Sequence, residues 1–545
     1  MLATTITSAL AVLLALYGAQ RAVAVVVVLL AKRPAPFAPL TGSESDLPAV
    51  TVQLPLFNEP AVCARIVDAA VALRWPRDRL EIQILDDSTD DTSAIVAERA
   101  AAARAAGVDV VHLRRPRRTG FKAGALAHGL ARAKGELVAV FDADFCPADD
   151  FLLRAVPPFA DGADVVQARW GHLNRDASWL TRAQAVFLDA HFSLEHRARA
   201  ATGRFFPFNG TAGIWRKQAI VDAGGWDSRT LTEDLDLSLR AWAGGARFVY
   251  LDDVEVLAEL PAAVNAWKLQ QHRWAKGSMQ TLTARLSTVV HAQRSLAARV
   301  DAGLRLTQNL TFLLLLLLCA LLPAAALERA DAGARSFVDV TALGLGTLPV
   351  LWGFVVACRS RGRRLRDVVV DVPLALVAGA GLAVNNGRAV LEGLLSTTPS
   401  IFERTPKSGD GNRAQGRSTV TAGFPRQRGA TRSAQWNRSA LRSPPLTFVE
   451  LGLGLLHVVT AGFLLLHGHA DLTPFLWLCG GGLLLTGVRS LREAGGEGSH
   501  DGAADDDEAG PERLLPHASR MPGEVRLVQE REERRESPQP APQRA

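Results

Sequence analysis

Apolar residues follow two distinct rhythms along the chain. Near the N-terminus, residues 5–31 form an almost unbroken Leu/Val/Ala run, and similar runs recur at 308–327, 340–358, 368–395, 447–467 and 473–488. A membrane-spanning helix needs about 20 mostly apolar residues, a length these runs approach or reach. Between residue 46 and about 245 the apolar residues come instead in short β-rich stretches separated by helical periodicity. Residues 50–54, 81–85, 108–113, 137–141 and 165–168 read as strands, and 61–73, 92–106 and 120–133 as helices. This βαβα order predicts a mainly parallel sheet with helices on both faces and a ligand crevice outside the carboxyl ends of the strands.

The first run lacks a basic leader and a small-residue cleavage site and ends in Lys32-Arg33, so it reads as an uncleaved anchor with a cytoplasmic C-terminal end. Arg21 interrupts it and must either snorkel or face protein. The basic stretch 359–366, and the segment 403–442 with nine Lys/Arg against two Asp/Glu, belong on the same side. A single crossing by 368–395 conflicts with that placement. Either the run doubles back near 379–381, or part of it lies along the membrane surface with Arg388 and Glu392. From Glu493 onward the chain is poor in large apolar side chains and reads as disordered.

Composition narrows the class. The chain has 545 residues, 48% of them hydrophobic and 6% aromatic, which excludes a secreted disulfide scaffold, a collagen-like fibre and a wholly disordered protein. Its five cysteines lie far apart with no C-x-x-C pair, a spacing that suits neither a zinc site nor a redox dithiol. The net charge of +6 is concentrated beside the apolar runs, as orientation signals and anionic lipid would favour.

Candidate chemistry sits where strands end. The first strand runs into Pro55 and, four residues on, Glu59; the second into Asp86 and Asp87; the fourth into Asp142-Ala143-Asp144. Three acidic strand ends would converge on one crevice. Carboxylates at i and i+2 across a strand end suit a hard divalent cation with the ribose or diphosphate of a sugar nucleotide. An Asp-rich run before a helix serves equally as a cap. Lys122, in a Gly-flanked helix start, is placed to meet phosphate. Thr232-Glu233-Asp234 offers a general base or a helix cap. Arg273 can clamp a departing diphosphate, and Trp274 can stack on a sugar or anchor at a membrane boundary.

The ordered set resembles the membrane-embedded family 2 glycosyltransferases, which include cellulose, chitin and hyaluronan synthases. Their D, D-x-D, T-E-D and Q-x-x-R-W motifs match Asp86/Asp87, Asp142/Asp144, Thr232-Glu233-Asp234 and Gln270/Arg273/Trp274. Within that group the chain looks most like the cellulose-synthase-like A proteins, the mannan and glucomannan synthases, through Phe208-Asn209-Gly210-Thr211, Glu259-Leu260-Pro261 and Arg404-Thr405-Pro406-Lys407. Phe402, Thr405 and Lys407 resemble the F-x-V-T-x-K gating loop of bacterial cellulose synthase.

The resemblance implies an α/β GT-A-type, Rossmann-like cytosolic domain over 45–290 and an α-helical transmembrane region. Around them it implies an anchor at 1–33, interfacial and transmembrane helices at 291–400, a gating-loop and Arg-rich linker at 401–446, a hairpin at 447–490 and a tail at 491–545. It further implies that Pro55, Glu59, Asp86, Asp87, Lys122, Asp142, Gln270 and Arg273 bind the nucleotide sugar and that Asp144 with Asp142 holds Mg²⁺ or Mn²⁺. Asp234, with Glu233 and Thr232, would be catalytic, and Trp274, Asn209 and Gly210 would meet the acceptor. The implied enzyme is a processive inverting β-glycosyltransferase using GDP-mannose or UDP-glucose. Its expected partners are donor, growing glycan and lipid bilayer, with no nucleic acid, in a bacterial inner membrane. The alternative is a single transfer to a lipid acceptor. No D-x-S-x-x-G follows the membrane helices, so control by cyclic di-GMP through a PilZ domain is not expected.

Overall fold

The computed structural model describes residues 2–32, 35, 37–38, 46–332, 337–395, 405, 407 and 446–496. Phe402, most of the Arg-rich linker and the tail beyond 496 lie outside the described residues.

The short apolar runs form one eight-stranded sheet in the order β3-β2-β1-β4-β7-β6-β8-β5. Its strands are β1 (Val50–Leu56), β2 (Leu80–Asp86), β3 (Asp109–Arg114), β4 (Leu137–Val140), β5 (Phe145–Cys146), β6 (Val165–His172), β7 (Gly213–Arg216) and β8 (Phe248–Ala258). The expected strands β1 to β4 are parallel neighbours. β7 then runs antiparallel between β4 and β6, so the sheet is mixed rather than mainly parallel beyond β4. β1, β2 and β4 are buried almost throughout because helices cover both faces. Helices Cys63–Val71 and Thr92–Ala105 pack on one side, and Phe121–Leu130 and Glu233–Ala243 on the other.

Among the described residues, five helices are long and apolar enough to cross a membrane: Leu2–Leu30, Leu296–Asp331, Phe337–Ser360, Leu446–Leu466 and Thr473–Ala494. A sixth span arises if the bent pair Leu365–Gly381 and Ala383–Leu395 counts as one. By length and composition this is a membrane protein. The bend is 50°, and beyond it Glu392 pairs with Arg388, His272 and Lys276. The second half thus lies against the long helix Val264–Val290. Arg21 does not snorkel; it faces protein and pairs with Glu195.

The last helix extends to Gly496, past the expected hairpin boundary at 490. Its end is fixed to the long helix. Glu493 accepts from the N–H groups of Val264 (2.8 Å) and Asn265 (2.9 Å), which would otherwise be orphan donors at a helix start. Ser490 Oγ donates to Asn265 Oδ1 (2.7 Å), and buried Lys268 meets Glu450 (2.5 Å) and Ser490 Oγ (2.9 Å). This helix also presses on Leu365–Gly381 so closely that a Cβ at Gly482 would lie 2.4 Å from the Val377 carbonyl oxygen. Gly482→Val should therefore force the helices apart and cost about 1–3 kcal/mol. A fall in the thermal midpoint of the detergent-solubilised protein is the expected reading, and an unchanged midpoint would refute this packing.

Candidate active site

A cavity of about 180 Å³ opens beyond the carboxyl ends of β1 and β4. Pro55 and Glu59 follow β1, Asp87 follows β2, and Asp142 and Asp144 follow β4; all five line the cavity. Glu233–Ala243 and Val264–Val290 bring Glu233, Asp234, Gln270, Arg273 and Trp274 to the other wall. Asn209, Gly210, Thr232, Lys122, Thr405 and Lys407 complete the predicted set that meets there.

Asp86 does not. Its side chain is buried and accepts from Ser88 N–H (2.8 Å) and Ser93 Oγ (2.6 Å), with His112 Nε2 at 2.9 Å. Burial alone would raise its pKa, but the His112 and Ser93 bonds hold it down at about 2. It braces the β2 loop that presents Asp87, and Asp87 itself is gripped by Arg115, with Nε at 2.9 Å. Thr232 begins its helix without a side-chain cap and instead bonds Thr281 Oγ1 at 3.0 Å.

The centre of the site is a charge network. Lys122 Nζ lies 2.5 Å from Asp142 and 3.8 Å from Glu233, and donates to the Gly210 carbonyl at 3.0 Å. Lys407 Nζ lies 2.6 Å from Asp144 and donates to the Glu259 carbonyl at 2.8 Å. Each member of the D-x-D pair thus holds an ammonium group, the charge type a divalent cation would supply. The oxygen donors suit Mg²⁺ or Mn²⁺.

Gly210 has φ +80, and a Cβ there would sit 2.9 Å from Asp234 Oδ2, so glycine lets the backbone pass under this carboxylate. Burial, then the neighbouring Glu233 charge, push Asp234 up to about 7, while Lys122 opposes them. Burial also raises Glu233 and Asp142, and it lowers Arg273 despite the carboxylates of Glu233, Asp142 and Asp144.

Two contributors escaped the sequence reading. Gln167, fully buried, accepts from Asn209 N–H (2.8 Å) and donates to the Thr211 (3.1 Å) and Ala212 (3.2 Å) carbonyls, holding Ala212 at φ 55. Trp170 lines the cavity with its ring centroid 6.4 Å from that of Trp274. The alternation around β6 marks Gln167 and Trp170 only as strand residues; their roles come from neighbours more than 40 positions away.

Residues 48–277 match the family described as Glycosyltransferase like family 2. They form a family 2 glycosyltransferase domain. The domain is similar to glucomannan 4-beta-mannosyltransferase 2 of Arabidopsis thaliana, 47% identical over 239 residues, 43% of this chain and 45% of that protein. It is also similar to glucomannan 4-beta-mannosyltransferase 1 of Oryza sativa subsp. japonica, 43% identical over 259 residues, 46% of this chain and 49% of the relative. The match thus spans less than half the length of these curated relatives. Among solved structures, mannosyltransferase PcManGT of Pyrobaculum calidifontis, in complex with GDP-Man and Mn²⁺, is 22% identical; the match covers 65% of this chain and 98% of that one, with a TM-score of 0.44.

Two measurements probe the glycosyltransferase site. Lys407 pairs with Asp144, so if Asp144 is a metal ligand, Lys407→Ala should lower the divalent-cation concentration for half-maximal turnover by roughly threefold or more; an unchanged or higher value would contradict competition between the ammonium group and the cation. A base at Asp234 must be deprotonated to accept a proton, so if this carboxylate serves as the base, turnover should fall as pH drops through about 7. Removing the Lys122 charge raises the pKa of Asp234, and Lys122→Met should move this acid limb up by roughly one unit. A limb that stays in place would show that Lys122 does not tune the base.

Proposed function

We propose that the chain transfers a hexose, with inversion, from a nucleotide sugar to a sugar hydroxyl, and does so repeatedly to build a β-linked glycan. The observation that carries this reading is the meeting in one cavity of Asp234, the Asp142/Asp144 pair, Arg273 and Trp274. Asp234 accepts the proton of the acceptor hydroxyl as its oxygen attacks the anomeric carbon, and the bond from that carbon to the diphosphate breaks on the opposite side. Arg273 and Lys122 balance the charge on the leaving nucleoside diphosphate. Asp144 and Asp142 would hold Mg²⁺ or Mn²⁺, which would neutralise diphosphate charge. Asp87, Glu59 and Pro55 serve the nucleoside end, and Trp274 with Trp170 offers aromatic faces to the acceptor. Asn209 and Gly210 shape the wall beneath the base, and Gln270 lies one helical turn from Arg273 on the same helix.

The names of the curated relatives favour mannose as the transferred sugar, with glucose as the competing one; GDP-mannose and UDP-glucose are the donors to compare. Thr405 and Lys407 reach the cavity as a gating segment would, in keeping with a glycan that advances between transfers. A second cavity, of about 460 Å³, lies among the membrane helices and is lined by Leu14, Tyr17, Arg21, Phe187 and Phe475. Asn209 Nδ2 lies 3.1 Å from His191 Nε2, and His191 lies 3.7 Å from Glu195 on the rim of that second cavity. This polar line supports passage of the growing chain from site to bundle. The mostly apolar body of the second cavity favours a second reading, in which one sugar is added to a lipid acceptor. We place the protein in a bacterial inner membrane with its catalytic domain in the cytosol, on the strength of the basic flanks of its spans.

The test is nucleoside diphosphate release by the full chain in detergent with Mg²⁺ or Mn²⁺, given GDP-mannose or UDP-glucose separately, with product sizing and linkage-specific digestion. The expected result is a high-molecular-weight β-linked product from one donor, with turnover in Asp234→Asn reduced at least about a hundredfold. A monoglycosylated lipid would overturn processivity in favour of the second reading. Undiminished turnover in Asp234→Asn would overturn the assignment of the base.

A further inference from the structure

Three membrane helices far apart in sequence bring together side chains that the transfer reaction does not use. Cys319 on Leu310–Asp331, His457 on Leu446–Leu466 and Cys479 on Thr473–Gly496 each place a ligand atom within 4.8 Å of the other two. His457 and Cys319 are fully buried and Cys479 is 4% exposed. Both cysteines are free. Leu315 and Ala383 pack around them, so the surroundings are apolar.

The histidine supplies an independent sign. Its Nδ1 donates to the Leu453 carbonyl at 2.8 Å, which fixes the ring and the tautomer. Nε2 is left with its lone pair, buried and without a hydrogen-bond partner among the described residues. A buried acceptor with no donor is costly unless something satisfies it. A ring nitrogen tied to a backbone carbonyl, with the other left open, is the arrangement used by metal-ligating histidines.

We propose that Cys319, His457 and Cys479 bind one zinc(II) ion inside the membrane bundle. Zinc–sulfur bonds of about 2.3 Å and a zinc–nitrogen bond of about 2.0 Å place ligand atoms roughly 3.5–4 Å apart, so the three need to close by only about an ångström. On binding, both thiols lose their protons, and two thiolates cancel the two charges of zinc while the imidazole stays neutral. The complex carries no net charge, as an apolar interior requires. Sequence spacing could not reveal the site, because no two of its ligands lie within 20 residues of each other.

The site would staple the C-terminal hairpin to Leu310–Asp331. Fourteen positions beyond Cys479, about 21 Å along the helix axis, Glu493 caps the long helix that carries Gln270, Arg273 and Trp274. A fixed hairpin fixes that helix.

The test is zinc content by mass spectrometry of the full chain, purified in detergent without a polyhistidine tag, followed by zinc(II) and cobalt(II) titration of the stripped protein. The expected result is about one zinc per chain, uptake with release of about two protons, and a thiolate-to-cobalt charge-transfer band. His457→Ala and Cys479→Ser should lose the tight zinc and weaken or abolish the band, and the band distinguishes this site from the cysteine-free acidic cavity. The wild-type titration keeps the proposal falsifiable if a variant fails to fold. Stripped wild type that takes up no more zinc than His457→Ala, that gives no thiolate band, or that carries a Cys319–Cys479 disulfide would overturn it.

Discussion

Seven carboxylates, Glu59, Asp87, Asp142, Asp144, Glu233, Asp234 and Glu259, face one small cavity, and they repel one another. Among the described residues, four cationic side chains line the same space, Arg118, Lys122, Arg273 and Lys407. The acidic surplus is the constraint on which the site depends. Burial first, and then the neighbouring Glu233 charge, raise Asp234 to about 7, and burial likewise raises Asp142, so the carboxylates of the cavity call for positive charge. Lys122 is the pivot, because one ammonium group touches Asp142, approaches Glu233 and ties down the Gly210 backbone beneath Asp234.

Holding these charges together falls to elements with separate cores. The sheet delivers the strand-end carboxylates, fixed by helices on both faces. Glu233–Ala243 and Val264–Val290 deliver Asp234, Arg273 and Trp274. The long helix is in turn held at its first turn by Glu493, Ser490 and Glu450, all from the last two membrane helices. The membrane helices and this wall of the cavity are therefore joined by buried polar contacts, and a shift in the hairpin would move Arg273 and Trp274.

Much of this was legible in the sequence. Strands β1 to β4 showed as β-rich runs, three of them (β1, β2 and β4) running into acidic residues, and the motif order pointed to one cavity that does collect Asp142, Asp144, Asp234, Arg273 and Trp274. What was not legible depends on contacts between distant residues. Asp86 and Asp87 are adjacent and chemically identical, and only packing against Ser93 and His112 turns the first inward. β7 shows no alternation long enough to announce a strand, and its antiparallel insertion follows from the pairing of Gly213–Arg216 with β4 and β6. Glu493, in a segment rich in Gly and charge, gains its order from the two N–H groups it caps. The cysteines and His457 read as isolated residues until the helices align them.

The most direct test of the account is binding rather than turnover: the loss of the free Mn²⁺ paramagnetic resonance signal on titrating the full chain in detergent, with and without a nucleoside diphosphate. The account predicts Mn²⁺ binding that tightens with the diphosphate and is lost in Asp144→Asn. Mn²⁺ binding of equal strength in wild type and Asp144→Asn would contradict it.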